Sequence, residues 1–201
     1  MIVISYGQLI KNVHVDDAAG KLSKEEYGIH CMIIYPDLTT LREFYSYYIK
    51  KQLEENNEVV LFTPFYETTD SVRQILSEGH TAIEDVSKYE NENYLIIIDA
   101  LKKYFQKDEG DETDWSFKER MVKHAKKKGK RGFSILGDMG AFNYKGKINE
   151  LVDYESSLPT KYDIDLRGFC LYHQKDFDRF EEEQKQRVVE HHGMVMRIET
   201  Q

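Results

Sequence analysis

The first strong strand of this chain is followed by a turn that lacks glycine and lysine. The apolar run 31–35 reads as a buried strand, and the periodic stretch from Leu41 to Leu53 reads as the helix after it. A phosphate-binding turn between two such elements needs glycines, whose backbone N–H groups wrap the anion, and a lysine for charge. Here the turn is Pro36-Asp37-Leu38-Thr39-Thr40, in which the proline has no N–H to offer and the carboxylate repels phosphate. Also absent is any apolar run near the ~18 residues of a membrane span. The N-terminus shows no basic segment leading into an apolar one, so neither a membrane span nor a secretory leader is expected, and the expected compartment is the cytoplasm. No Gly-x-Ser-x-Gly elbow is present for a serine hydrolase. Only two cysteines occur, Cys31 and Cys170, both inside apolar strand-like runs where a thiol behaves as a small hydrophobe. The net charge of −8 opposes general attraction to nucleic acid, so no direct nucleic-acid binding is expected.

What is present is a regular alternation. Strands are read at 30–35, 58–63, 94–99, 132–137, 166–172 and 194–198. Helices are read at 39–55, 69–78, 114–128, 147–157 and 176–192. A strand-like start at 1–5 precedes a mixed polar stretch to 28, residues 81–93 are ambiguous, and the acidic run 107–114 reads as a loop that could act as a lid. The basic run Lys126 to Arg131 reads as a helix C-terminus capped by Gly129. No linker interrupts the pattern. The expected fold is therefore one α/β domain over residues 1–201 (core about 28–198), a three-layer, mainly parallel sheet with helices on both faces.

Ligands of such sheets bind beyond the carboxyl ends of the strands. That rule selects Tyr35 and Asp37, Asp99, Asp138 and Met139, and Tyr172 and His173. Carboxylates, aromatics, a methionine and a histidine around a crevice suit a small organic ligand better than a triphosphate. Asp99 reads either as a helix cap or as the carboxylate that holds magnesium in an NTPase, and Asp138 reads either as a turn-stabilising residue or as a ligand anchor. Metal signals are weak. Cys170 and His173 are three apart on a strand, and the adjacent His191 and His192 point about 100° apart on a helix. No metal, no cofactor and no catalytic residue is expected.

Several local patterns together resemble the MEDS domain, the sensory domain of methanogen and methylotroph regulators that include a dichloromethane-responsive repressor. They are His30-x-x-x-x-Tyr35, the Leu53 to Val59 helix-to-strand step, Gly132 with Leu136-Gly137-Asp138-Met139, Tyr154-Glu155, and Cys170-Leu171-Tyr172 followed by Phe177 and the charged helix to His191 or His192. The resemblance spans about residues 28–198 and adds His30 and Glu155 to the candidate ligand-binding set. It implies a RecA/KaiC-like core that has lost its phosphate loop, and a non-enzymatic role in which a small organic ligand, such as a hydrocarbon derivative, is sensed. Residues 1–28 are too short for a DNA-binding domain, so output is expected through a regulatory partner or a homo-oligomer. The competing expectation is a degenerate ATPase-like protein that still binds nucleotide or assembles with active ATPases.

Overall fold

Strand β2 (His30–Tyr35) is buried along its whole length, which only a sheet covered on both faces allows. The computed structural model of the chain describes residues 11–106 and 114–200. The strand-like start at 1–5 and residues 107–113 of the expected lid lie outside the described residues. The sheet has seven strands in the order β1-β7-β2-β6-β5-β3-β4, and every pairing is parallel. The other strands are β1 (Lys11–His14), β3 (Val59–Thr63), β4 (Leu95–Ile97), β5 (Phe133–Asp138), β6 (Leu166–His173) and β7 (Met194–Glu199).

Side-chain alternation splits the core. One face carries Cys31, Ile33, Tyr35, Phe169 and Leu171, covered by α1 (Val15–Leu22) and α2 (Leu38–Lys50). Asp37 caps α2 by accepting from the Thr40 amide at 2.9 Å, and Leu41, Phe44, Tyr45, Tyr48 and Ile49 form the helix's buried stripe. Tyr45 and Tyr48 thus belong to the core. Their hydroxyls reach Glu67 at 3.1 Å and Ser134 at 3.0 Å. The helix runs on through a π segment, Lys51–Glu55, and stops at Asn56 and the left-handed Asn57 (φ 56°).

On the opposite face, α6 (Asp114–Lys127) covers β3 and β5. Met32, Ile34, Cys170 and Tyr172 pack under α8 (Ile148–Ser157) and α10 (Glu182–Glu190).

Two readings from sequence need correction, and one ambiguous stretch is resolved. Residues 11–22, read as a polar stretch, form β1 and α1, because Val15, Ala18, Ala19 and Leu22 recur at helical spacing against the sheet. The ambiguous stretch at 81–93 contains α4 (Val86–Asn91), capped by Asp85; the helix read at 69–78 is α3 (Thr69–Ser77). The single helix expected over 176–192 is two, α9 (Gln174–Phe177) and α10. Phe177 and Phe180 both turn inward onto Tyr172, and Glu181 restarts the helix through a reciprocal capping box with Gln184. The remaining short helices are α5 (Ala100–Phe105) and α7 (Gly140–Tyr144).

At the amino ends of the strands a buried ion pair ties β6 to β3. Arg167 donates to Glu58 and, from Nε and a second guanidinium nitrogen, to the Glu25 carbonyl at 2.8 and 2.6 Å. Glu58 also accepts from Tyr27 at 2.7 Å and from Ser134 at 2.8 Å. Removing one partner strands the other charge where water does not reach. Arg167→Met is therefore expected to lower unfolding free energy by about 3–5 kcal/mol. Glu58→Gln in the same chain should restore part of that loss in urea titrations; strictly additive losses would show that the charges do not depend on each other.

Candidate functional site

His30 opens β2 with its side chain on the face beneath α8 and α10, and Cys170 lies diagonally opposite, because His30 pairs with Gly168 in register. Glu155 comes down from α8, and His192 comes from the turn between α10 and β7. The four side chains meet. Glu155 Oε2 lies 3.6 Å from His30 Nε2, 3.5 Å from His192 Nε2 and 3.6 Å from Cys170 Sγ, and Cys170 Sγ lies 3.5 Å from His30 Nε2. One ligating atom from each falls within 4.8 Å of all the others. His30, Glu155 and His192 have no exposed surface, and Cys170 is 6% exposed.

Backbone carbonyls fix both imidazoles. His30 Nδ1 lies 3.0 Å from the Pro159 oxygen, and His192 Nδ1 lies 2.7 Å from the Val188 oxygen near the end of α10. A carbonyl oxygen only accepts, so each Nδ1 carries its hydrogen and each Nε2 faces Glu155. The Pro159 carbonyl is in place because residues 159–162 cross over the start of β2. Gly28 adopts φ 94° there, where any Cβ would come 2.5 Å from the Tyr162 oxygen; a Cβ at Gly193 would come equally close to the Thr160 oxygen. Burial alone would raise the Glu155 carboxyl; positive charge on a facing His192 or His30 ring and the Tyr172 hydroxyl at 2.7 Å pull it down instead. Burial lowers His192 to about 4 and raises the Cys170 thiol well above its usual range.

The strand-end residues form a second group. Asp138, at the end of β5, is fully buried and accepts from the Tyr35 hydroxyl at 3.0 Å and the Gly140 amide at 2.9 Å. Tyr66 and Asn143 both donate to Asp176 beside it, and the His173 ring sits 5.2 Å from Tyr35 and 5.3 Å from Tyr66. Met139 packs with Phe142 and Ile34 in the core. Asp37 and Asp99 are helix caps, Asp99 receiving the Lys102 amide at 3.0 Å.

The residues singled out from sequence thus divide. His30, Glu155 and Tyr172 belong to the first group, Tyr35, Asp138 and His173 to the second, and Met139 (a core side chain), Asp37 and Asp99 to neither. Cys170 and His192 were missing as site residues. Strand parity was the available signal, since it places Cys170 on the face of His30, whereas His192 depends on a turn that sequence does not position.

A hollow of about 640 Å³ opens beside the first group, between the start of α6 and the end of α8. Trp115, Tyr154, Leu158 and Pro159 wall it, with Asp114, Ser157, Lys161 and Asp163 completing the lining. Pro159 belongs both to this wall and to the support of His30. A larger hollow of about 760 Å³ near α4 is lined mostly by charged residues, among them Lys50, Glu54, Glu84, Asp85 and Lys88.

A family model described as MEDS, MEthanogen/methylotroph, DcmR Sensory domain, matches residues 29–193. No curated protein matches the chain.

Burial raises Asp138 to about 7 from 3.8, against the opposing pull of the Gly140 and Tyr35 donors. A raised carboxyl stabilises the fold through its proton below about pH 4, and that stability is lost as pH climbs to about 7. Asp138→Asn carries no such proton. In paired urea titrations, stability of the variant relative to the parent should therefore rise by about 2–4 kcal/mol between pH 4.5 and 8. A difference that stays flat with pH would mean the carboxyl ionises freely in the folded state.

Proposed function

This chain belongs to the MEDS family, whose members are sensory domains, and from that premise we propose that it binds a small, weakly polar organic molecule and reports the bound state to a regulatory partner or a second copy of itself. The observation that carries the reading is the hollow walled by Trp115, Tyr154, Leu158 and Pro159. Its volume falls within the ~300–1,000 Å³ of small-molecule sites, and aromatic and aliphatic walls with a few polar groups suit a simple hydrocarbon derivative. Ligand contact with Tyr154 and Pro159 would act next to Glu155 and on the carbonyl that orients His30, which gives binding a route into the core.

The nucleotide alternative is disfavoured by a specific contact. The N-terminus of α2, where a phosphate would sit, is taken by the Asp37 carboxylate bound to the Thr40 amide. A second acidic side chain, Asp138, stands buried at the end of β5 with its oxygens already taken by Tyr35 and Gly140. We read the protein as acting by binding, without turnover.

Trp115 is the chain's sole tryptophan and lines the hollow, so ligand entry reports itself. In a screen of small organics, hits are expected to raise the melting temperature by mass action and to change Trp115 emission, and Trp115→Ala should remove the thermal shift. Magnesium with ATP or ADP should produce none. A nucleotide response would transfer support to the degenerate ATPase reading. Organic hits that leave Trp115 emission unchanged and survive Trp115→Ala would place the ligand elsewhere.

A further inference from the structure

We propose that His30, Glu155, Cys170 and His192 form a closed binding site for one divalent transition-metal ion of the zinc class, which fastens α8 and the α10–β7 turn to the sheet. Four observations converge on it. The facing atoms are two imidazole nitrogens, a carboxylate oxygen and a sulfur, all potential ligand atoms gathered at one buried point. Their separations fit: tetrahedral zinc bonds of ~2.0–2.3 Å set ligand atoms roughly 3.3–3.8 Å apart. The four contacts here are 3.5–3.6 Å, and the widest pair needs only a modest contraction from within 4.8 Å. The outer hydrogen bonds are those that metal-binding histidines use, each Nδ1 directed at a backbone carbonyl so that Nε2 is presented. Glu155 uses Oε1 to accept from Tyr172, leaving Oε2 as a single oxygen ligand.

The ligand set narrows the ion. Mixed nitrogen, sulfur and oxygen donors at tetrahedral spacing favour zinc over magnesium or calcium, which take oxygen shells of six or more. All four positions are filled by protein and the site is closed to solvent, so the ion has no open coordination position and serves the fold or its switching. Binding exchanges the Cys170 thiol proton for a sulfur–metal bond, the proton leaving to solvent. The sequence reading expected no metal, because neither Cys170 with His173 nor His191 with His192 can share an ion; the set assembled here takes one residue from each pair and two from elsewhere. The assignment is independent of the organic ligand, and a failed ligand screen would leave it standing.

The test is titration of the chelator-stripped full chain with Co²⁺ as a spectroscopic substitute. One equivalent should give tetrahedral d–d absorption together with a thiolate-to-cobalt charge-transfer band, and Zn²⁺ should displace it and raise the melting temperature. Cys170→Ser should lose the charge-transfer band while the fold persists, and His30→Gln with His192→Gln should weaken Co²⁺ binding at least ~100-fold. The wild-type titration decides the matter even if the double variant does not fold. No charge-transfer band at one equivalent, or a band unchanged in Cys170→Ser, would overturn the site. The first result would leave the cluster held by a protonated histidine, and the second would put the metal elsewhere.

Discussion

A carboxylate cut off from water has to find positive charge, and Glu155 sets that requirement at the junction of β2, β6, α8 and the α10–β7 turn. The cost of a bare ion in such a place is several kcal/mol, far more than one neutral hydrogen bond returns. The surroundings are organised to answer it. Tyr172 donates to one oxygen, and two imidazoles turn toward the other. Each imidazole is steadied by a carbonyl that exists only because neighbouring backbone is bent into place, at Pro159 through the crossing segment and at Val188 through the end of α10. The glycines at 28 and 193 follow from the same demand, since a side chain at either would push the crossing segment away from β2.

The parallel sheet makes this convergence possible. With both faces covered, polar side chains within a strand have no solvent to reach and must be paired across layers. Among the described residues three such groups stand out. Glu58 and Arg167 close the amino end of the sheet, Asp138 with Tyr35 closes the carboxyl end, and the Glu155 cluster lies between them beneath the helices. The first two close on protein partners. The third gathers four potential ligand atoms at one point and adjoins an aromatic hollow.

Much of the architecture was legible in the chain. Runs such as Cys31 to Tyr35 and Leu95 to Ile97 are apolar on both faces, which only buried parallel strands need, and the cap at Asp99 and the stop at Gly129 follow local rules; the cap at Asp37 was read as a ligand position. The misses have physical causes. β1 and α1 carry Asp16, Asp17 and Lys21 on their outer side, and those charges mask the inward Val15, Ala18, Ala19 and Leu22. Glu155 and Cys170 are far apart in sequence and belong to different periodicities, so their meeting depends on how α8 settles on β6. His192 is placed by the end of α10, and adjacency to His191 gave no hint of which ring turns inward. The strand-end rule found a real cluster around Asp138, but one already satisfied by its own neighbours.

The most direct measurement is a crystal structure of the protein purified without chelator, with X-ray fluorescence to identify any metal and anomalous maps on both sides of that metal's absorption edge. The account predicts a single anomalous peak within bonding distance of His30 Nε2, His192 Nε2, Glu155 Oε2 and Cys170 Sγ, with Pro159 and Val188 still supporting the two rings. A map with no peak there, and with Glu155 in direct hydrogen-bond contact with an imidazole N–H, would show that a proton balances the buried carboxylate and would contradict the metal-centred account.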